Sequence, residues 1–196
     1  MIGRQAKVLS PGDLRRLLSQ AGRGRFPERD RVMVLLAVRA GLRACEIASV
    51  TWGMTLDATG RIALMLEVRN SIAKGGSGRR VPVHPELKKA LQALRRRQLA
   101  DETQPDAVIV RSVKGGGMRP NSVVNWFIAQ CRAVGLQGCS SHSGRRTFIT
   151  KAARAAHRAG ANLRDVQMLA GHRSIETTQG YIDGDSDAQR RLVSLI

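Results

Sequence analysis

The polar side chains that could act together on a phosphodiester are Arg43, Lys74, His142, Arg145, His172 and Tyr181. Two guanidinium groups can neutralise a phosphate and stabilise the charge that builds up on its oxygens. A lysine can protonate a leaving oxygen, and a tyrosine hydroxyl can attack phosphorus. The sequence has neither a carboxylate pair suited to two metal ions nor a glycine-rich nucleotide loop ending in Gly-Lys-Ser/Thr. These residue types predict DNA strand cleavage through a covalent protein–DNA link, with no metal and no other cofactor.

Each of these residues, taken alone, also has an ordinary structural explanation. His142 and Arg145 share one face at the start of a predicted helix, where a surface pair is common. A lysine at a turn, such as Lys74, is usually solvated, and a histidine after a helix, such as His172, often caps it. Tyr181 is the sole tyrosine and lies in a polar, Thr-rich stretch rather than an apolar stripe. The order of the whole set therefore carries the prediction.

The charge balance points to a polyanionic partner. The chain has 33 Lys+Arg against 15 Asp+Glu, a net charge of +18. Such a surplus repels itself in a compact fold and is typical of nucleic-acid binding. Aromatic residues make up only 3% of the chain, and single-stranded RNA or DNA is usually bound by aromatic stacking. Double-stranded DNA is the partner that composition favours.

Other classes of protein are disfavoured by the same sequence. The first residues contain no apolar core of a signal peptide, so we expect none. The longest apolar run, residues 32–38, is too short to cross a bilayer. The cysteines Cys45, Cys131 and Cys139 lack zinc-site spacing and are interpreted as free thiols. We therefore predict a cytoplasmic protein, associated with the nucleoid and not with a membrane.

The first half must position Arg43 and Lys74. Ser10-Pro11 predicts a helix start, and a buried helix is predicted from Asp30 to a stop at Gly41. Arg43 then opens a short helix over residues 44–50. Turn signals at residues 57–60 and 74–78 predict a small antiparallel meander, with a strand over 62–68 and Lys74 at a hairpin tip.

The second half must position the other four residues, and it reads as helical. Asn121 is the predicted cap of one helix, and Ser140 or Ser141 caps the helix that carries His142 and Arg145. Asn162 caps another helix, ended by Gly171. The predicted class is α+β, mostly helical, with a small three-stranded antiparallel sheet at one side of a helical bundle.

Several short motifs occur in a fixed order along the chain. They are Leu42-Arg43-Ala44-Cys45-Glu46, Lys74 in a Gly-rich turn, His142-x-x-Arg145, Leu169-Ala170-Gly171-His172 and Thr177-Thr178-x-x-Tyr181. Together they resemble the catalytic domain of the tyrosine site-specific recombinases, the phage integrase family, over about residues 8–184. One departure is Ser143-Gly144, where the family commonly has an acidic residue and a leucine.

The resemblance implies a role for each position. Tyr181 would attack the scissile phosphate, giving a 3′-phosphotyrosine and a free 5′-hydroxyl. Arg43 and Arg145 would hold that phosphate, and Lys74 would be the general acid for the departing 5′ oxygen.

It also implies supporting roles. His142 would assist proton transfer at the tyrosine, and His172 would hydrogen-bond the phosphate. Separately, Glu46 lies three residues after Arg43, so its carboxylate could orient that guanidinium or merely pair with it at the surface. Further DNA contacts are expected from Arg79, Arg80, Arg119, Asn121, Arg146 and Arg173.

The predicted organisation is a catalytic domain over residues 1–184 and a C-terminal tail over residues 185–196. In this family four protomers act on two paired DNA sites, so a tetramer is expected, and the tail either docks on a neighbour or packs on its own domain. The family's upstream core-binding domain is expected to be absent. Two alternatives stay open: a truncated DNA-binding module without strand exchange, and a relaxing enzyme resembling type IB topoisomerases.

Overall fold

The computed structural model describes residues 6–181 and residues 190, 193 and 194. Its α-helices are α1 (Pro11–Ala21), α2 (Pro27–Arg39), α3 (Ala44–Ser49), α4 (Pro85–Arg97), α5 (Pro120–Ala133), α6 (Ser141–Ala156), α7 (Leu163–Ala170) and α8 (Ile175–Gln179). Its strands are β1 (Met65–Val68) and β2 (Arg79–Pro82). Short 3-10 turns occur at Trp52–Met54, Lys74–Gly76, Asp101–Thr103 and His157–Ala159. The predicted mostly helical class with a small antiparallel sheet is confirmed. Apart from residues 190, 193 and 194, the predicted tail lies outside the described residues.

Side-chain caps begin three of the helices as the sequence predicted. The Ser10 hydroxyl accepts the Asp13 N–H at 3.1 Å, and the Asp13 carboxylate accepts the Ser10 N–H at 3.0 Å. Ser140 caps α6, and the Asn162 side chain accepts the Arg164 N–H at 2.8 Å at the start of α7. These bonds satisfy N–H groups that a helix start leaves unpaired.

Proline sets two helix starts that the sequence analysis placed wrongly. α2 begins at Pro27 rather than at Asp30, and α5 begins at Pro120, so Arg119 and not Asn121 occupies the cap position. Proline suits the first helical position because its φ is already helical and its missing N–H would have had no helical partner.

The sheet has two strands in the described part of the chain, not the predicted three. β1 pairs antiparallel with β2, with Leu66 opposite Val81. Before β1, the turn predicted at residues 57–60 is flanked by only one isolated bridge, between Leu56 and Ile62, instead of a further strand. Two features prevent a longer strand there. The turn between the bridged residues is tight, because the Asp57 carboxylate accepts three bonds from Thr59 and Arg61, and the 3-10 turn at Trp52–Met54 breaks the extended chain.

α2 is the centre of the fold. Its residues Val32 to Val38 are buried, and the helix packs against α4 on one side and α6 on another. A smaller apolar cluster of Ile149, Val166 and Ala170 joins α6 to α7, and Tyr181 packs against it. The core thereby fixes α6, α7 and the tyrosine relative to the end of α2. None of the described helices is long and apolar enough to cross a membrane.

The contact between α2 and α6 is close at Gly144. A Cβ built on Gly144 would lie 2.7 Å from the Ala37 Cβ and 3.3 Å from a Val38 methyl carbon. Neither neighbour is a flexible side-chain end, so a larger residue must push the helices apart. Gly144 therefore sets how deeply α6 seats His142 and Arg145 beside the end of α2.

We expect Gly144→Ala to lower the free energy of unfolding by about 1–3 kcal/mol, because the added methyl overpacks the contact with α2. Gly12→Ala is the matched control: it lies in α1 with no neighbour closer than 3.7 Å, so alanine should stabilise it by about 0.5 kcal/mol through helix propensity. Urea unfolding followed by tryptophan fluorescence measures both. Equal stabilisation by the two substitutions would contradict the close contact.

Candidate active site

A cleft of about 640 Å³ opens where the starts of α3 and α6 meet the end of α7 and the turn Lys74–Gly76. Its lining residues are Arg43, Ala44, Cys45, Gly75, Ser77, Ser141, His142, Arg145, Gly171, His172, Arg173, Ser174, Thr177 and Tyr181. Five of the six side chains predicted to act on a phosphodiester therefore share one cleft. The sixth residue, Lys74, directly precedes Gly75 at its rim.

A fully buried carboxylate, Glu46, lies beneath the cleft and binds two arginines. Its Oε1 accepts Arg43 Nη1 and Arg79 Nη1, both at 2.9 Å. Its Oε2 accepts Arg79 Nη2 at 2.9 Å and the Arg43 backbone N–H at 2.8 Å. We call Arg43, Arg79 and Arg145 the arginine cluster. Glu46 offsets one of the three positive charges in that cluster, so the site keeps a strong preference for an anion.

The ionisation of Glu46 follows from these contacts. Burial favours the neutral acid, but the hydrogen bonds and charge of Arg79, followed by those of Arg43, outweigh burial and lower the pKa of Glu46 below its ordinary 4.5. The carboxylate is thus ionised at neutral pH, and its negative charge holds both guanidinium groups.

The C-terminal end of α7 is the second anchor of the arginine cluster. Three successive carbonyl groups there each accept a bond from a different arginine. The pairs are Leu169 O with Arg79 Nε at 2.9 Å, Ala170 O with Arg145 Nη2 at 2.7 Å, and Gly171 O with Arg43 Nη2 at 3.2 Å. The last carbonyls of a helix lack helical partners and form the negative end of its dipole, so cations are favoured there.

Gly171 is required by this arrangement for two reasons. Its φ of +62° lies in the left-handed region that ends a helix and turns the chain toward His172. A Cβ at this position would also lie 2.9 Å from Arg79 Cδ. Glycine thereby lets the arginine cluster approach the end of α7.

Two arginines were predicted to hold the phosphate, and Arg145 is the more deeply buried of them, with only 3% of the residue exposed. Its Nη1 donates to the Gly41 carbonyl at the end of α2, in addition to the bond with α7. Burial, followed by the charges of Arg43 and Arg79, lowers the pKa of Arg145 to about 10. It stays protonated at neutral pH, and an approaching anion would relieve the repulsion that lowers its pKa.

Tyr181 lines the same cleft. Its ring stacks on His172, with 5.5 Å between ring centroids and 25° between planes. The Arg146 guanidinium lies 5.3 Å from the centre of the tyrosine ring, within the range of a cation–π contact. The backbone is held as well, because Tyr181 N–H donates to the Thr178 carbonyl at 3.1 Å. These contacts keep the phenol beside the arginine cluster.

Both cleft histidines are neutral at neutral pH. Burial, with the charges of Arg145, Arg43 and Arg79, lowers the pKa of His172 to about 4. Partial desolvation and then the charges of Arg145, Arg146 and Arg43 lower the pKa of His142 from 6.5. A neutral imidazole can accept a proton at one nitrogen or donate a hydrogen bond from the other.

The residues predicted to contact DNA occupy three kinds of position in the structure. Arg173 lines the cleft and donates to the Gly75 carbonyl, and Arg146 lies over Tyr181. Arg79 has a side chain only 4% exposed and is bound to Glu46, a position suited to supporting the site from below. The others are exposed and lie outside the cleft lining: Arg80, Arg119 and Asn121.

Sequence reasoning missed several members of the site. The carbonyls at the end of α7 carry no side-chain signal, and Ser141 and Thr178 occur in stretches rich in similar polar residues. Arg79 was predicted as a DNA contact, and its buried supporting position could have been found, because strand alternation places it on the same face as the buried Val81. Across the described residues, no cluster of three His, Cys, Asp or Glu side chains could hold a metal ion.

Comparison with known proteins gives the family to which a chain with this fold and cleft belongs. The family model described as "Phage integrase family" matches residues 7–187. The chain therefore belongs to the phage integrase family, as the motif order predicted.

Curated relatives agree with this assignment. Tyrosine recombinase XerC of Myxococcus xanthus is 28% identical over 162 residues, which cover 78% of this chain and 49% of the relative. Tyrosine recombinase XerD of Pseudomonas putida is 32% identical over 179 residues, covering 89% of this chain and 56% of the relative. The chain spans about half the length of the curated relatives it matches.

Solved structures agree on the fold. XerA recombinase superposes with a TM-score of 0.75 at 22% identity, covering 100% of this chain and 65% of that one. XerH site-specific recombinase bound to its difH substrate gives a TM-score of 0.71 at 18% identity, covering 99% of this chain and 55% of that one. The helical bundle with its small sheet is the fold these recombinases share.

We expect Glu46→Gln to lower the free energy of unfolding by about 3 kcal/mol at neutral pH, because it leaves buried guanidinium groups without their counterion. The folded pKa of Glu46 is depressed, so its stabilisation is present above the ordinary carboxyl pKa and is lost as pH falls through the folded value. The difference between wild type and variant should therefore shrink below about pH 4.5.

Glu67→Gln is the control for this measurement, since Glu67 is exposed on β1 opposite Arg80. It should change stability by less than about 0.5 kcal/mol. Urea unfolding at a series of pH values tests both variants. A loss in Glu46→Gln that is the same at pH 3 and pH 7 would show that the carboxylate charge is not what holds the cluster.

Proposed function

We propose that this protein breaks and rejoins double-stranded DNA as a site-specific recombinase, through a covalent bond between Tyr181 and a DNA 3′-phosphate. The observation that carries this proposal is the convergence of the lone tyrosine, two neutral histidines and the arginine cluster on one cleft. Family membership supports the same reaction class, and the net charge of +18 suits a DNA partner.

In the proposed cleavage step, the Tyr181 hydroxyl oxygen attacks phosphorus and the bond from phosphorus to the 5′ oxygen breaks. Arg43 and Arg145 hold the non-bridging oxygens, where negative charge accumulates in the transition state. Because the end of α7 and Glu46 already fix both guanidinium groups, little reorganisation is needed when the phosphate arrives.

Protons move at both ends of the reacting phosphate. His142 is neutral and lines the cleft, so it can accept the proton that the tyrosine hydroxyl loses. Lys74 gives a proton to the departing 5′ oxygen, which leaves as a hydroxyl. The broken bond is replaced by a phosphotyrosyl ester of similar energy, so attack by a 5′-hydroxyl reverses the step and rejoins a strand without ATP.

Other residues support this reaction from outside the reacting atoms. Arg79 would hold Glu46, and Glu46 would hold Arg43. Arg146 and Arg173, at the edges of the cleft, would bind phosphates that flank the scissile one, and Arg80, Arg119 and Asn121 would add contacts further along the duplex.

The proposed assembly is a tetramer on two paired DNA sites, acting on DNA in the nucleoid of the cytoplasm. Strand exchange needs two cleavages on each of two duplexes, and each protomer supplies one tyrosine. This count favours four protomers over a single DNA-binding module.

We expect Tyr181→Phe to abolish the covalent adduct while leaving DNA affinity within about twofold, because a hydroxyl is lost but no charge changes. The substrate is duplex DNA from the flanks of the gene, nicked near the cleavage point so that the cleaved end diffuses away. Denaturing gels detect the adduct, and gel shifts measure binding.

The wild-type protein is the positive control, and its adduct must disappear after protease treatment. An adduct that persists in Tyr181→Phe would overturn the choice of nucleophile. DNA binding by wild type with no adduct on any flanking fragment would favour a binding module, and plasmid relaxation without site preference would favour a topoisomerase-like enzyme.

We expect Lys74→Ala to slow single-turnover cleavage by about 10²–10⁴-fold on ordinary DNA, as loss of a general acid does. On DNA whose scissile 5′ oxygen is replaced by sulfur, the variant should cleave at nearly the wild-type rate, because a thiolate leaves without protonation. Arg43→Ala is the comparison, since loss of transition-state charge stabilisation should slow both substrates. Equal slowing of Lys74→Ala on both substrates would exclude Lys74 as the acid.

A further inference from the structure

The buried hydroxyl of Thr178 contacts the ring of His172. Thr178 lies in α8 and is 0% exposed, and its Oγ1 is 2.9 Å from His172 Nδ1. The chain continues from α8 to Tyr181, whose ring stacks on the ring of the same histidine. Thr178, which lies three residues before the proposed nucleophile, therefore contacts a histidine of the cleft.

The direction of this hydrogen bond follows from burial. Among the described residues, His172 Nδ1 is the hydrogen-bond partner found for the Thr178 hydroxyl. If Nδ1 carried the proton and donated it, the hydroxyl hydrogen would be buried without an acceptor, which is costly. The stable arrangement has Thr178 donating to an unprotonated Nδ1.

The tautomer of His172 then follows. The ring is neutral, since its pKa is lowered to about 4 by burial and by the nearby arginines. With Nδ1 accepting, the single ring proton must be on Nε2, at the ring edge away from Thr178. His172 lines the cleft, so Nε2–H is a donor available to a phosphate oxygen.

We propose that Thr178 is a positioning residue that locks His172 in the Nε2–H tautomer and thereby makes it a hydrogen-bond donor to the DNA phosphate. The opposite tautomer would present an unprotonated nitrogen to an anion, which is repulsive. The backbone carbonyl of His172 is held separately, accepting Gln167 Nε2 at 3.0 Å. Thr178 acts on the ring, whereas Gln167 acts on the backbone.

The direct test is the nitrogen NMR spectrum of protein labelled with ¹⁵N-histidine, without DNA. The chain has 4 histidines, and the His172 signals are assigned by their loss in His172→Gln. Wild type and Thr178→Ser should show Nε2 protonated and Nδ1 as a hydrogen-bonded acceptor. In Thr178→Val, which is nearly the same shape, the Nδ1 signal should move and the other tautomer should appear.

The functional consequence rests on the proposed recombinase activity and is measured separately. Single-turnover cleavage should slow by about 5- to 10-fold in Thr178→Val, as expected for one hydrogen bond, and recover in Thr178→Ser. Should the valine variant not fold, Thr178→Ala removes the same hydroxyl and must give the same changes.

The inference is overturned if wild-type His172 is protonated on Nδ1, or if removal of the hydroxyl leaves its nitrogen signals unchanged. A changed tautomer with an unaltered cleavage rate would refute the role of Thr178 in the reaction. Absence of cleavage by wild type, with the expected tautomer in the free protein, would count against the proposed function alone.

Discussion

Three guanidinium groups gathered at the end of one short helix are the constraint on which this structure depends. Arg43, Arg79 and Arg145 repel one another, and each lies partly or wholly out of water. Glu46 and the last carbonyls of α7 hold them together. Because Arg43 directly precedes α3, while Arg79 lies in β2 and Arg145 in α6, the same contacts tie these three elements to the end of α7. The site is therefore assembled by the forces that assemble the fold.

The concentrated charge shapes the chemistry of its neighbours. Burial lowers the pKa of His142 and His172, and the nearby guanidinium charges lower it further, so both imidazoles are neutral at neutral pH. The concentrated charge also makes an anion the natural occupant of the cleft, since a phosphate would relieve the repulsion among the arginines. Tyr181 reaches this region through its stack on His172. Affinity for phosphate and placement of the proposed nucleophile thus have a common origin.

The sequence predicted the members of the cleft better than the supports beneath them. Motif order identified Arg43, His142 and Tyr181, and cap residues predicted several helix starts, because caps are local signals that need no tertiary contact. The third strand was wrong because a local pattern cannot show that Trp52–Met54 closes into a 3-10 turn. The bonds of Arg79 to Glu46 and to the end of α7 join residues that are distant in sequence, so these partners emerged only from the folded arrangement. The same is true of the three carbonyl acceptors, which any residue type can supply.

The most direct test of the account is to identify the atom that carries DNA in the trapped complex. Trypsin cuts after Arg173 and Arg190, which leaves Tyr181 in a single peptide of residues 174–190. After nuclease digestion, mass spectrometry should find that peptide heavier by one 3′-linked nucleotide, with fragmentation placing the addition on Tyr181. A nucleotide attached instead to Ser77, Ser141 or any other residue would contradict the claim that folding delivers this phenol to a phosphate held by the arginine cluster.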